Sequence, residues 1–235
     1  MDPLLISAAS GMKARMESLD MLANNIANTG TVGFKTDKEF YSLYEHQLPV
    51  IQKQWTDFSQ GTLTPTGNSL DLGLSGKGFF ALNSPQGTVY TRNGQFQLSK
   101  SNQLQTADGY TLRDTQNKGQ PITVDPAQPI DIGNDGLVQQ NGQTVGQIEI
   151  GGVDNPSQAL SKLGSSYFVF STQPSQVNPD PATEVHQGAL EQSNVPAADA
   201  AVRLIGIMRQ FEMLQKAMSV GADMDKQATE EVAKV

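Results

Sequence analysis

Apolar residues near the start of the chain repeat at alternating steps of four and three. The stripe consists of Leu5, Ala9, Met12, Met16, Leu19, Ala23 and Ile26. This spacing keeps the side chains on one seam of a helix. Pro3 is suited to the first helical turn, whereas Asn28 and Gly30 disfavour further helix. The pattern predicts a helix from Pro3 to Asn28, which is roughly 39 Å long at about 1.5 Å per residue.

A second amphipathic pattern follows Pro196. Its apolar face contains Leu204, Ile207, Met208, Phe211, Leu214, Met218 and Ala222. Because neither helix can bury its own stripe, we expect the two terminal helices to pair as a coiled-coil-like unit. The pattern is compatible with pairing within one globular monomer and with pairing between chains.

Short alternating runs separated by turn dipeptides fill the middle of the chain and predict antiparallel strands. Asn141-Gly142 favours a tight hairpin with two positive φ angles, and Asn93-Gly94 suggests the same device. Asp108-Gly109 and Asp135-Gly136 mark two further turns. Aromatic residues over 167–170 indicate a buried strand.

The predicted class is therefore α+β, with long terminal helices and a central, mostly antiparallel β domain. Residues 38–66 carry aromatics without periodicity and suggest extended chain that docks against other parts of the protein. The expected division is a helix and turn over 1–35, an extended connector over 36–70, the β domain over 71–193 and a helix over 194–235.

Composition excludes several classes of function. The net charge of −8 provides no basic field for phosphates, so we expect no nucleic-acid partner. The absence of cysteine excludes disulfides and thiolate chemistry. The acidic start at Met1-Asp2 and the short apolar run from Leu4 to Ile6 predict no cleaved signal peptide. Charged residues interrupt the N-terminal helix, so we expect no integral membrane protein.

No stretch has the spacing of a catalytic, cofactor or metal site. Residues 73–78 are glycine-rich but match neither a nucleophile elbow nor a phosphate loop, and predict a turn between strands. His46 and His186 are isolated in sequence. Asp131, Asn134 and Asp135 lack the spacing and the terminal Glu of a calcium loop. We expect no enzyme activity and no cofactor.

Several ordered blocks resemble the flagellar rod and hook protein family. The run 24–35 resembles its N-terminal signature through Asn24, Asn25, Ile26, Ala27, Asn28, Thr31, Gly33, Phe34 and Lys35. Residues 61–80 and 90–94 resemble its entry into the β domain, and residues 188–195 with 209–213 resemble its C-terminal segment. Within the family, the short length and the sequence of the last helix are most similar to the F-type proximal-rod branch, with the G-type distal-rod branch second.

The resemblance implies a structural subunit of the basal-body rod that polymerises head to tail and transmits torque to the hook. It implies contacts with copies of itself, other rod proteins, the distal rod on the hook side and, during secretion, the flagellar export apparatus, in a rod that crosses the periplasm. The residues expected at assembly interfaces are Leu5, Met12, Met16, Leu19, Asn24, Asn25, Ile26, Asn28, Gly33, Phe34, Lys35, Leu204, Ile207, Met208, Phe211, Leu214 and Met218.

Two hypotheses of other classes remain open at this stage. One is a secreted β-domain module that binds glycans through exposed aromatics such as Trp55 and Tyr44. The other is a hydrolase with a carboxylate pair, although the sequence identifies no such pair.

Overall fold

The computed structural model describes residues 3–43, 49–153, 155–170, 178–179 and 182–232. These residues form two compact units. The helical unit comprises residues up to Ala27, Asp37–Thr56 and the chain from Val195 onward, and the β unit comprises Asn28–Thr36 and Asp57–Asn194. The chain is α+β, as predicted.

The helical unit contains α1 (Pro3–Ala27), the hairpin of β1 (Asp37–Leu43) and β2 (Pro49–Thr56), and α3 (Ala197–Val232). Both terminal helices occupy the positions that apolar periodicity predicts. Helix α1 packs against α3 and against both strands of the hairpin. Within the described residues, no helix combines the length and apolar character that crossing a membrane would require.

The β1–β2 hairpin differs from the expectation of an extended connector over 36–70. The two strands pair antiparallel from Asp37 opposite Thr56 to Leu43 opposite Pro49, with a register shift between Phe40 and Tyr41. Such a shift interrupts strict alternation, which explains why the sequence shows no strand period here. Tyr44 and His46 lie outside the described residues.

The β unit is built from short strands and one helical turn. In chain order these are β3 (Leu63–Pro65), β4 (Leu72–Ser75), β5 (Phe79–Ser84), β6 (Gly87–Thr91), β7 (Gln97–Leu98), β8 (Leu104–Gln105), β9 (Thr111–Leu112), β10 (Asp131–Ile132), β11 (Leu137–Gln140), β12 (Gln143–Gln147), β13 (Ile150–Gly152), α2 (Pro156–Ala159), β14 (Leu160–Leu163), β15 (Tyr167–Phe170), β16 (Asn178–Pro179), β17 (Glu184–Gln187) and β18 (Ala189–Glu191).

Each of these strands pairs antiparallel with at least one other strand of the unit. The largest sheet runs β14-β15-β6-β5-β9-β8-β7, with β13 also on β5 and β16 on β13. A second sheet runs β10-β11-β12, and the two short pairs are β17 with β4 and β18 with β3. The last two strands therefore return to pair with the first two of the unit.

Turn residues account for much of this layout. Asn141 and Gly142 have φ of 50° and 77° and connect β11 to β12, which confirms the predicted tight hairpin. The second predicted hairpin is wrong, because β6 pairs with β5 and β15 whereas β7 pairs with β8. Gly94 is needed there for a different reason. A Cβ at this position would lie 1.6 Å from the Leu72 carbonyl oxygen.

Two apolar clusters form the core of the β unit. The larger includes Leu72, Leu74, Phe80, Leu82, Phe96, Leu104, Leu112, Ile122, Val138 and Val185. The smaller contains Phe79, Tyr90 and Phe168, and Phe58 meets the rings of Phe79 and Phe168 edge to face. Docking of Phe58 agrees with the expectation that the aromatics of residues 38–66 pack against other parts of the chain.

The buried phenol of Tyr90 makes stability depend on pH in the alkaline range. Burial raises the pKa of Tyr90 to about 12, and the Glu149 carboxylate contributes in the same direction. The unfolded chain releases this proton near pH 10, so the folded state binds more protons between pH 10 and 12. The free energy of unfolding should therefore fall as pH rises through this window.

Replacing Tyr90 by Phe should remove part of that fall, by about 2 to 3 kcal/mol at most between pH 10 and 12. Urea unfolding of both proteins at pH 8, 10, 11 and 12 measures the difference. Parallel curves over the whole range would show that Tyr90 does not keep its proton in the folded state.

Candidate functional site

The signature turn, residues 28–36, begins where α1 ends. The Asn28 carbonyl oxygen accepts from the Thr31 N–H at 3.1 Å, and its side-chain Oδ1 accepts from the Thr31 hydroxyl at 3.0 Å. The Thr31 carbonyl in turn accepts from the Phe34 N–H at 3.2 Å. These local bonds form two consecutive turns directly after the helix.

Gly33 lets the signature turn approach two other segments closely. Its N–H donates to the Glu191 carbonyl oxygen at 2.8 Å, and its φ is 68°. A Cβ at this position would lie 2.4 Å from backbone atoms of Arg92 and Asn93. Only glycine fits both the backbone conformation and the space.

The next residue, Phe34, is fully buried in the β unit. The Lys162 Nζ of strand β14 lies 4.1 Å from the centroid of the Phe34 ring and donates to the Lys35 carbonyl oxygen at 2.7 Å. One lysine thus makes a cation–π contact and a hydrogen bond to consecutive residues of the turn.

A buried ion cluster follows at Lys35. Lys35, Glu191 and Arg92 have side chains that are at most 1% exposed. The Lys35 Nζ donates to Glu191 Oε1 at 2.6 Å and to the Ser59 carbonyl at 2.7 Å. The Arg92 Nη1 donates to Glu191 Oε2 at 3.0 Å, so each carboxylate oxygen receives one cation.

Neutral partners complete the ion cluster. The Gly61 N–H donates to Glu191 Oε1 at 2.8 Å, and the Arg92 Nη2 donates to the Gly76 carbonyl at 2.7 Å. Burial lowers the pKa of the Lys35 ammonium; the Glu191 carboxylate opposes this effect, and the nearby Arg92 charge adds to it. Glu191 is the carboxylate that both buried cations contact, and it offsets the cost of removing them from water.

Asn194 ties together the segments that border the β unit. Its Oδ1 accepts from the Thr36 N–H at 2.8 Å, and its Nδ2 donates to the carbonyl oxygens of Asp57 and Ser59 at 2.8 and 2.9 Å. The backbone adds bonds from the Asn194 N–H to the Phe34 carbonyl and from the Asp57 N–H to the Thr36 carbonyl. Three stretches far apart in sequence are thereby fixed at one place.

In the helical unit, the most buried face of α1 consists of small and polar residues and one leucine. It contains Gly11, Ala14, Ser18, Leu22 and Asn25. The Ser18 hydroxyl donates to Glu39 Oε2 at 2.9 Å, and the Asn25 side chain both donates to and accepts from the backbone of Asp37. Hydrogen bonds to β1 therefore hold this face of α1 against the hairpin. Asn25 thereby satisfies both the N–H and the carbonyl of Asp37.

The predicted apolar stripe of α1 lies roughly a third of a turn around the helix from this buried face. Met12, Leu19 and Ile26 are half-buried and Met16 is 52% exposed. Asn24 is exposed and Asn28 half-buried, while Leu5 lies in the first turns of α1. Much of the stripe is thus still accessible in the single chain.

Helix α3 carries two apolar faces. One face consists of the half-buried residues Leu204, Ile207, Phe211, Leu214 and Met218, at steps of three and four as predicted. Because α1 packs against α3, these positions mark the face that α1 covers. On the other side Val202, Met213, Val220 and Met224 are all more than half exposed. We call these four residues the outer stripe of α3. Met208, which the sequence places on the first face, lies at the edge of that face and is 49% exposed.

The other residues that the sequence offers for chemistry, His186 and Trp55, do not form a site with one another. His186 is partly exposed, with its Nε2 3.8 Å from Glu184 Oε2, and no group of three metal-binding side chains occurs among the described residues. Trp55 is partly exposed, but the Lys38 ammonium of the same hairpin lies 5.4 Å from its ring centroid.

Comparisons with known proteins match three segments of the chain to flagellar protein families. Residues 5–35 match the family described as flagella basal body rod protein. Residues 73–140 match the D1 domain of the flagellar hook proteins FlgE/F/G, and residues 186–231 match the C-terminal part of the flagellar basal body rod FlgEFG proteins.

Curated relatives cover nearly all of the chain. FlgF of Caulobacter vibrioides is 33% identical over 100% of both chains, and FlgF of Mesorhizobium japonicum is 33% identical over 90% of both. FlgG of Caulobacter vibrioides is 31% identical over 97% of this chain and 98% of its own length. The chain belongs to the flagellar basal-body rod protein family.

The family matches at the two ends of the chain meet inside the β unit. The first matched segment ends at Lys35, and the last begins at His186, shortly before Glu191. The ion cluster therefore joins the two terminal rod segments of the family to Arg92 in the D1 segment.

Sequence reasoning brought Gly33, Phe34 and Lys35 together but missed the residues that hold them. Glu191, Asn194 and Arg92 all lie in blocks that resemble the family, at 188–195 and 90–94, and this position could have identified them as site residues. The sequence gives no such indication for Lys162, because a lysine on an edge strand ordinarily faces solvent. Gly33, Phe34 and Lys35 are buried within the β unit of the single chain, and their part in assembly stays a prediction.

Proposed function

We propose that the protein is a structural subunit of the flagellar basal-body rod, which polymerises head to tail into the axial shaft that transmits torque to the hook. The observation that carries this proposal is the outer stripe of α3 on a chain whose relatives are rod proteins along their whole length. Large apolar side chains exposed along one side of a helix typically mark a contact with another protein.

The accessible apolar residues have the arrangement that helical assembly needs. The accessible part of the α1 stripe and the outer stripe of α3 are different surfaces, so contacts between copies would be heterologous. Heterologous contacts propagate along an axis when their rotation does not close a ring. In this proposal α1 and α3 pair in a coiled-coil-like manner, and neighbouring subunits cover the accessible stripes.

The finer assignment is the F-type proximal rod, with the G-type distal rod as the alternative. FlgF and FlgG of Caulobacter vibrioides have similar identities to the chain, at 33% and 31%. The proposed partners are copies of the chain, other rod proteins and, on the hook side, the distal rod. Export by the flagellar apparatus without a cleaved signal peptide, and a location in the part of the rod that crosses the periplasm, belong to the same proposal.

Deleting the gene tests the proposal directly. Cells without the protein should lack hooks and filaments in electron micrographs, and a plasmid copy should restore them. Normal swimming of the deletion strain, in a genome with no second copy, would exclude a required rod subunit.

Cross-complementation separates the two branches. The gene should restore motility to a Caulobacter vibrioides strain that lacks FlgF but not to one that lacks FlgG. The reverse pattern would assign the chain to the distal rod.

A further inference from the structure

The donors around Glu191 come from parts of the chain that are distant from strand β18. Lys35 lies in the signature turn, Gly61 precedes β3, and Arg92 follows β6. Their Nζ, N–H and Nη1 groups point at one carboxylate, at 2.6, 2.8 and 3.0 Å. Two cations and one backbone donor thus surround a single anion in the interior of the β unit.

We propose that Lys35, Arg92 and the Gly61 N–H form a carboxylate-binding pocket, and that the β unit closes only when the C-terminal strand delivers Glu191 into it. Glu191 is then a tethered ligand of the pocket. A small free carboxylate, such as formate or acetate, belongs to the chemical class that the pocket accepts.

Charge gives the physical reason for this requirement. Without Glu191, closing the unit would remove two like charges from water with no anion between them, which is strongly unfavourable. Before β18 has docked, Lys35 and Arg92 can stay hydrated only in an open unit. Closure of the β unit therefore depends on docking of β18, because Glu191 lies 156 residues after Lys35 in the chain.

Backbone pairing of β18 with β3 is short and does not depend on charge. The strand pairs over three residues, flanked by bonds from the Thr66 N–H to the Gly188 carbonyl and from the Gln192 N–H to the Thr62 carbonyl. Its other buried side chain is the apolar Leu190, which is 4% exposed. Leu190 supplies a matched control, because it lies in the same strand and is buried without charge.

The experiment uses the full chain with Glu191→Ala, which leaves room for a small carboxylate between Lys35 and Arg92. Stability is measured by urea unfolding in sodium chloride and in sodium formate at equal ionic strength. In chloride we expect the unfolding equilibrium constant to rise roughly a hundredfold or more. Formate should lower it again in a saturable way.

Two controls isolate the pocket. Leu190→Ala should also destabilise the β unit, but its stability should not differ between formate and chloride beyond the difference seen for the natural chain. Lys35→Met combined with Glu191→Ala should lose the response to formate, because one of the two cations is gone. If the single and double variants respond equally to formate, the pocket does not bind carboxylates.

A second measurement covers the case in which Glu191→Ala stays unfolded in both salts. Glu191→Gln keeps the side-chain shape and removes the charge, and combining it with Lys35→Met should restore stability relative to Glu191→Gln alone. A Glu191→Gln chain as stable as the natural one would overturn the proposal. These readouts concern folding of the isolated chain, so they are independent of the gene-deletion test of rod function.

Discussion

Gly33→Ala should destabilise the β unit by about 3 kcal/mol or more, which is a large part of the stability of an ordinary domain. The added Cβ would meet backbone atoms of Arg92 and Asn93 at 2.4 Å, and backbone cannot move aside as the end of a flexible side chain can. The φ of 68° adds about 1 kcal/mol for any residue with a Cβ. Thermal and urea unfolding of the purified chain measure the loss.

Two other glycines separate the causes of this effect. Gly67 has a φ of 76° and no heavy atom within 4 Å of an added Cβ, so Gly67→Ala reports the backbone conformation alone. Gly30 has the same open space without a positive φ, and Gly30→Ala should change stability by no more than about 0.5 kcal/mol. Equal losses for Gly33→Ala and Gly67→Ala would mean that the close approach to Arg92 does not constrain the turn.

Periodicity predicted both terminal helices because each is long enough to repeat its pattern several times. Helices α1 and α3 contain 25 and 36 residues, and their ends follow local signals at Pro3, Asn28 and Pro196. The Asn141-Gly142 hairpin was equally predictable, since its turn type depends on only two residues. Predictions held where the information is local.

Predictions failed where the neighbour in space is distant in sequence. Asn93-Gly94 is locally equivalent to Asn141-Gly142, but the strands on either side of it pair with other partners. Gly94 serves a close approach to Leu72, which a turn propensity does not encode. The same limitation hid the β1–β2 hairpin, whose bulge breaks the alternation on which strand prediction depends.

The candidate site shows a related limit. Apolar periodicity identified a stripe on α1 that stays partly accessible, whereas the most buried face contains Ser18 and Asn25. Those residues are buried because their hydrogen bonds to Glu39 and Asp37 replace water, which a hydrophobic pattern cannot indicate. Likewise, the burial of the Lys35 side chain depends on its ion pair with Glu191, which lies far along the chain and cannot be inferred from local sequence.

Met213→Asp should abolish incorporation of the subunit into the rod while leaving the isolated chain folded. Met213 is 63% exposed, so its replacement removes little packing from the single chain. In the assembled rod, the same position would place a carboxylate in an apolar contact and lose about 1.5 to 3 kcal/mol of side-chain burial at each copy. Repetition of this loss along a helical assembly makes the effect on motility large.

The matched variants lie within two residues of Met213 on α3. Gln215→Asp adds the same charge at an exposed polar position and should leave assembly intact. Leu214→Asp changes the half-buried face that α1 covers, and should lower both the melting temperature of the isolated chain and its assembly. Motility, electron microscopy of basal bodies and circular dichroism of the purified chains distinguish the three. Normal rods in the Met213→Asp strain would show that neighbouring subunits do not cover the outer stripe of α3.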